Sequence, residues 1–301
     1  MSPFLPFPDM EFLHGAIDIH IHSGPDLYAR LQDSVELART AQAAGLRAVC
    51  LKSHNFSTAP TAILTQKEVP GIDVFGSLAC NLHVGGLNPI AVETAIKYGA
   101  RQIYLPTVDS ENHARLTGGV VGQHGKGLMV QGGLSEYTLK HPRINILDKE
   151  GNLLSQVYEI IRLVAEADII LNAGHISFDE MKVLIPEAKK QKIRKLVVDH
   201  PFFSKLSVAQ QQTLAEQGAF INFTAGELLP RWWRASVEEF ANAIRQIGPA
   251  RAVLSSDCGQ HHNPQEVESL RIVYQLLLEE GFSGEEIRTM LHKNPADLLY
   301  G

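Results

Sequence analysis

The chain has 301 residues, 45% hydrophobic and 20% charged, with a formal net charge of −6. That size suits one large α/β domain or two small ones, and the basic footprint of a nucleic-acid binder is missing. No apolar run approaches the roughly 20 residues needed to span a bilayer, which speaks against a membrane role. The opening stretch, Met1-Ser2-Pro3-Phe4-Leu5-Pro6-Phe7-Pro8, lacks the basic and long apolar regions of a secretion signal. Residues 1–14 read as an extended arm, packed on the chain's own body or on a neighbouring subunit of a homo-oligomer. Cys50, Cys80 and Cys258 lie in or beside apolar runs at no zinc-finger spacing. An odd count without an export signal points to reduced thiols and a cytoplasmic setting.

The first strand is read over Ile17 to Ile21, where β-branched residues alternate until Ser23-Gly24-Pro25 breaks the run. Side chains two apart on a strand share a face, about 6.6 Å apart at roughly 3.3 Å per residue. His20 and His22 therefore point the same way, a spacing that lets two imidazoles grip one metal ion. Such a pair alone is also met as two ordinary polar residues. Ser34 to Ala44 reads as a helix closed by Gly45. Leu46 to Leu51 is the second strand, ending in Lys52-Ser53-His54, and Ile72 to Ala79 the third, ending in Asn81-Leu82-His83. Asn88 caps a helix with Pro89 at its first position.

Gln102 to Leu105 is the fourth strand, running to Asp109. Residues 110–150 then break the rhythm with a glycine-rich tract, Gly118 to Gly133, and a hairpin-like Ile144 to Leu154. An insertion of that length is expected to be a lid or binding loop rather than plain surface. Helix Ser155 to Ala167 leads to strand five, Asp168 to Ala173, ending in His175. Helix Asp179 to Gln191 leads to strand six, Lys195 to Val198, ending in Asp199-His200. Helix Ser207 to Gln217, strand seven (Ala219 to Phe223), helix Val237 to Ile247 and strand eight (Ala252 to Ser255, ending at Asp257) follow, with two further helices at the end. Eight strand-then-helix units without a composition break argue for a single domain over 1–301, an α/β fold of the (β/α)8 TIM-barrel type. A doubly wound open sheet is the structural alternative, weakened by the absence of G-x-G-x-x-G after the first strand.

Almost every strand ends in a residue able to bind metal or move protons: His20 and His22, Lys52 and His54, His83, Asp109, His175, His200, Asp257. A barrel gathers all those ends on one face. With the H-x-H pair, the single histidines closing strands five and six, the aspartate closing strand eight and the ending Lys293-Asn294-Pro295-Ala296-Asp297-Leu298-Leu299, the chain resembles the amidohydrolase superfamily of metal-dependent hydrolases over nearly its whole length. The resemblance implies that His20 and His22 hold the more buried metal and that His175 and His200 hold a second. It implies that Asp257 is ligand and proton acceptor at once. The chain departs from that pattern at strand four, where the bridging lysine or glutamate is missing. The nearest substitute is Lys52, which would make this a divergent branch. An ammonium has no lone pair, so Lys52 bridges metals only if carbamylated; otherwise it clamps an anionic substrate or completes an ion pair.

Imidazole and carboxylate ligands suit Zn2+, one or two ions. The expected reaction is attack by a metal-bound hydroxide on an amide, cyclic amide or lactone of a small anionic molecule. Phosphoester hydrolysis or nonoxidative decarboxylation on the same scaffold, or a non-catalytic ligand-binding barrel, are the alternatives. His54, His83, Asp109 and His113 are expected around the substrate, with Arg30 and Tyr104 as further candidates. Asp18 or Asp199 could orient a ligand, although strand alternation turns both away from the neighbouring histidines. Trp232 and Trp233 either cap the pocket or pack between helices, and Cys258 reads as a wall thiol.

Overall fold

The computed structural model describes residues 10–118 and 133–301. The arm over 1–9 and most of the glycine-rich tract lie outside the described residues.

Among the described residues nine short parallel strands follow one another in chain order: β1 (Ile17–His22), β2 (Ala48–Lys52), β3 (Asp73–Phe75), β4 (Ser77–Ala79), β5 (Gln102–Tyr104), β6 (Ile170–Asn172), β7 (Leu196–Asp199), β8 (Phe220–Thr224) and β9 (Ala252–Ser255). They form two sheets, β1-β2-β3 and β4-β5-β6-β7-β8-β9, and every pairing is parallel. The continuous burial of these strands is what a parallel sheet covered by helices requires. The helices are α1 (Ser34–Ala43), α2 (Ala59–Glu68), α3 (Pro89–Lys97), α4 (Glu111–Thr117), α5 (Glu136–Lys140), α6 (Ser155–Ala167), α7 (Phe178–Lys190), α8 (Val208–Glu216), α9 (Val237–Ile247), α10 (Glu266–Glu279), α11 (Gly284–Arg288) and α12 (Asn294–Tyr300). Their starts follow local chemistry: Ser177, Ser207, Ser236 and Ser283 each cap a helix, and the backbone N–H of each donates the reciprocal bond to the side chain of a Glu or Gln three residues on.

The third predicted strand, Ile72 to Ala79, is two strands with Gly76 between them. The Thr58 hydroxyl donates to Leu51 O at 2.7 Å and accepts from Ser77 N at 2.8 Å, and Ser77 Oγ donates to Leu51 O at 2.7 Å. Hydroxyls thus stand where a backbone ladder between β2 and β4 would run, and the sheet is interrupted there. At the other edge, Asp257 N donates to His20 O at 2.9 Å and His22 N to Cys258 O at 2.8 Å, so the chain leaving β9 runs beside β1.

Two apolar layers result. The larger lies between strands and helices and includes Leu37, Ile103, Ile160, Leu184, Phe223 and Phe240. The smaller, Ile17, Ile19, Ala48, Ile170, Val197 and Val253, is closed off by Leu298 and Leu299 of α12. Above this smaller layer the same faces of β7, β8 and β9 turn polar. Ser255 Oγ donates to Asn222 Oδ1 at 2.8 Å, and Asn222 Nδ2 donates to Asp199 Oδ1 at 2.7 Å. This relay leads to the histidines.

Candidate metal centre

β1 supplies two imidazoles through a local irregularity. Its pairing with β2 shifts register between Asp18 and Ile21, and Ile17 and Ile19 join the inner layer while Ile21 joins the outer one. Such a shift re-aims side chains. His20 and His22 end up fully buried with ring centroids 5.5 Å apart. His20 Nδ1 stands 3.0 Å from Asp199 Oδ2, and its Nε2 3.2 Å from Asp257 Oδ1. His22 Nδ1 stands 3.0 Å from the Lys52 carbonyl oxygen, and its Nε2 3.2 Å from that same Asp257 oxygen.

Tautomers follow from these partners. The Asp199 carboxylate takes the Nδ1 hydrogen of His20, and the Lys52 carbonyl oxygen, which only accepts, favours the hydrogen of His22 on Nδ1 against the Arg30 Nη2 donor that approaches the same nitrogen at 3.1 Å. Burial alone would raise the Asp199 carboxyl, but its contact with His20 outweighs that and holds it well below the usual range. With the rings neutral, both Nε2 lone pairs aim at one carboxylate oxygen. Lys52, buried beside them, brings Nζ to 2.9 Å from His20 Nε2 and over the Tyr104 ring at 4.5 Å. Burial pushes its ammonium down to about 8. It can donate to His20 Nε2, yet His22 Nε2 and Asp257 Oδ1 still meet as two acceptors. A divalent cation between His20, His22 and Asp257 resolves that opposition, and the donor set suits zinc. The residues present fit the ion.

Among the described residues two donor groups, each drawn together within 4.8 Å, share His20: His20-His22-Asp257 and His20-Asp199-His200. Asp199 is the member that the sequence reading turned away from the site. Within β7, Val197 faces the inner layer and Val198 the outer, so alternation correctly puts Asp199 inward. The error lay with His200, which sits beyond the strand at φ 51° and is turned back toward the same centre. Asp18 takes no part in orienting a ring; its carboxylate accepts from Ser256 N and His20 N. Asp257 likewise has φ 50°, and burial raises its carboxyl above the usual value.

His200 Nε2 lies 3.9 Å from Asp257 Oδ2, and Nδ1 lies 3.2 Å from Thr224 Oγ1. His175 stands one ring further out, 5.4 Å from His200 between centroids. It stacks on His113 with 2.8 Å between their Nδ1 atoms. His54 lies beside His22 at 5.0 Å between rings, with its Nδ1 2.9 Å from the Thr107 hydroxyl. Arg30, tied to Asp26 at 2.9 Å, places Nη2 3.1 Å from His22 Nδ1. Asp109 accepts from Leu82 N and pairs with Arg143 at 2.8 Å, while His83 Nδ1 stands 3.7 Å away. Burial works to raise Asp109; its contacts with His83, Leu82 and Arg143 outweigh that and keep it low. His83 lines a separate cleft with Arg143, Tyr137 and His141.

A small cleft of about 30 Å3, open on one side, lies over the centre and is lined by His113, His175, His200, Phe203, Glu227, Trp232, Arg234 and Asp257. Trp232 is a wall of this cleft, whereas Trp233 is exposed. Cys258 is buried away from the cleft lining, its thiol directed at Ser269 Oγ and Ser256 O. Glu227 and Arg234 were not singled out from sequence. Glu227 Oε1 accepts from Phe202 N and Phe203 N, both at 2.9 Å, and so pins the turn that follows His200. Its spacing of three from Thr224 is a capping-box signal that could have drawn notice; Arg234 carries no local signal.

The model of a family of unknown function (DUF6282) matches residues 15–222. The chain belongs to that family. No curated protein matches the DUF6282 chain in sequence. Among solved structures, it resembles an amidohydrolase from Pseudomonas aeruginosa with a TM-score of 0.59 at 13% identity, over 96% of this chain and 97% of that one. A probable dipeptidase from the same organism gives 0.63 at 12%, over 96% and 95%. A β-aspartyl dipeptidase from Fervidobacterium islandicum gives 0.59 at 16%, over 99% and 77%. At such identities the likeness is one of fold: a mixed α/β architecture with parallel sheets. Among the described residues no helix is long and apolar enough to cross a membrane.

Proposed function

We propose that this chain is a metal-dependent hydrolase of the amidohydrolase type, a divergent branch with Lys52 at the end of the second strand. It cleaves an amide, cyclic amide or lactone of a small molecule. The reading takes the two parallel sheets as one closed (β/α)8 barrel. The observation that carries it is the meeting of His20 Nε2 and His22 Nε2 on one Asp257 oxygen, 3.2 Å from each. The names of the structural neighbours, an amidohydrolase and dipeptidases, support it.

His20, His22 and Asp257 Oδ1 would hold a divalent cation, most simply Zn2+, with His200 and His175 available to a second. Such an ion, when bound, brings the pKa of a coordinated water to about 7 and polarises a substrate carbonyl. The protein groups do the rest. Asp199 fixes the His20 ring, and the Lys52 carbonyl fixes the His22 ring. Asp257 Oδ2, on the His200 side, takes a proton from the attacking water and returns it to the leaving group. Burial, which raises this carboxyl above its usual value, favours its taking up the proton. Lys52, as an ammonium or a carbamate, sits where it can answer charge developing next to His20. The three cysteines are all unpaired and buried, in keeping with a reducing, cytoplasmic setting.

The test is elemental analysis of protein purified without chelators, followed by a panel of amides, cyclic amides and lactones. Asp257→Asn keeps a ligand oxygen but cannot carry the proton. It should retain the metal and lose turnover by at least about a hundredfold. Hydrolysis by D257N near the wild-type rate removes Asp257 from this role, and metal-free protein removes the reading itself.

A further inference from the structure

α4, the seven-residue helix at the start of the insertion, directs its cap and two of its side chains at one residue of another unit, His175. The Ser110 hydroxyl caps the helix by accepting from His113 N at 3.0 Å, and it donates to His175 O at 3.0 Å. Asn112 Nδ2 donates to that same carbonyl oxygen at 3.0 Å. His113 reaches the ring itself, with 2.8 Å between the two Nδ1 atoms and 17° between the ring planes. From the other side, His175 N donates to Pro106 O at 3.0 Å. Gly174, at φ +61°, lies so close to the end of β5 that a Cβ there would fall 2.4 Å from Leu105 O. Ser110, Asn112, His113 and His175 are all buried.

A hydrogen bond between two imidazole nitrogens needs one hydrogen and one lone pair. Two arrangements of neutral rings satisfy it. Either His175 donates and keeps the lone pair of its Nε2, or His113 donates and His175 Nε2 carries a hydrogen. The cleft beside these rings, about 30 Å3, is lined by His113, His175, His200 and Asp257 and has room for about one water-sized species. His175 and His200 stand 5.4 Å apart between ring centroids. Only the first arrangement leaves His175 a lone pair to give a cation held there. The end of β5, Leu105-Pro106-Thr107, brings no bridging lysine or glutamate. What the chain supplies from that side is a grip on His175.

We infer that α4 is the positioning element of a second cation site, and that His113 accepts the Nδ1 hydrogen of His175 so that the Nε2 lone pair of His175 is kept for the ion. This rests on the hydrolase reading. His113 touches neither ion nor substrate in it. It acts through His175, in place of the carboxylate or carbonyl that commonly orients a ligating imidazole. The first site, His20-His22-Asp257, has its own orienting partners in Asp199 and the Lys52 carbonyl and does not depend on α4.

The experiment is zinc titration of the chelator-stripped full chain against a chromophoric competitor, with long-range proton–nitrogen NMR spectra of the histidines. Wild type should take up two ions, and in the loaded protein His113 Nδ1 should report as an unprotonated nitrogen. His113→Leu keeps much of the bulk but accepts nothing. It should weaken the second ion by roughly 10- to 100-fold and leave the first unchanged. His113→Asn sets a carbonyl oxygen close to where Nδ1 stood and should recover most of that loss, although it has no imidazole with which to bind zinc. Circular dichroism of both variants shows that the fold is intact. Unchanged second-ion affinity in H113L, an equal loss in H113N and H113L, a hydrogen on His113 Nδ1 in the loaded protein, or a single ion in wild type overturns the inference and leaves the hydrolase reading standing. Wild type without any zinc overturns that reading, and this inference with it.

Discussion

Asp199→Asn isolates the relay behind the metal centre with the loss of a single charge and almost no change in shape. Asn222 Nδ2 donates to Asp199 Oδ1 at 2.7 Å, while Asp199 Oδ2 faces His20 Nδ1 at 3.0 Å. An asparagine at 199 must keep its carbonyl toward the Asn222 amide, because the reverse sets two N–H groups against each other. Its own NH2 then points at His20 Nδ1 and can only donate. The ring is forced to carry its hydrogen on Nε2, the atom aimed at Asp257, and the lone pair that would bind metal is lost. Removing the partner that orients a ligating histidine costs roughly 10- to 100-fold in metal affinity, or about 1.4 to 2.7 kcal/mol. A tautomer held the wrong way belongs at the upper end of that range. Competition against a chromophoric chelator measures it directly, with circular dichroism confirming the fold. The double variant D199N/N222A frees the amide to rotate and should recover much of the affinity. If D199N alone binds metal within twofold of wild type, the tautomer argument is wrong.

Glu266 is buried at the start of α10, with Oε1 lacking a hydrogen-bond partner, and burial lifts its carboxyl from 4.5 to about 7. The fold therefore holds a proton that the unfolded chain gives up. This contribution is complete below about pH 4.5 and lost by about pH 7, at most roughly 3 kcal/mol. Glu266→Gln should flatten the fall in urea midpoint across that window; parallel pH curves for the two proteins would count against it. Gly259 has φ +111°, and a Cβ there would lie 1.7 Å from the His22 carbonyl oxygen. Gly259→Ala should destabilise by at least about 3 kcal/mol and disturb the β1 end together with the loop beyond β9. A melting temperature within a degree or two of wild type would refute that.

The residues that bind and react announced themselves through their phase. Each strand could be located from its apolar run, and chemistry sat repeatedly at the same end. Period-2 alternation correctly paired His20 with His22 and puts Asp199 inward, yet carrying it on to His200 set the two on opposite faces. Alternation holds only inside a strand, and His200 lies one residue outside it in a left-handed conformation that local sequence does not signal. The third strand was misread as continuous because its break comes from Thr58, a residue 19 positions before Ser77 whose hydroxyl is brought between β2 and β4 by packing. The hairpin-like stretch after the insertion does carry an antiparallel bridge, Leu147 to Leu153, since the turn chemistry there is local. Arg234 was invisible for the opposite reason: nothing near it in the chain says that it will stand over Asp257's cleft.

His200 and Asp257 both hold left-handed backbone, which disfavours a residue with a side chain by roughly 1 to 2 kcal/mol each. Glycine at either position would relieve that strain and erase a donor. A programme that improved this scaffold by thermal tolerance alone would therefore be drawn to the very positions where its chemistry resides, and would harvest a sturdier but inert protein.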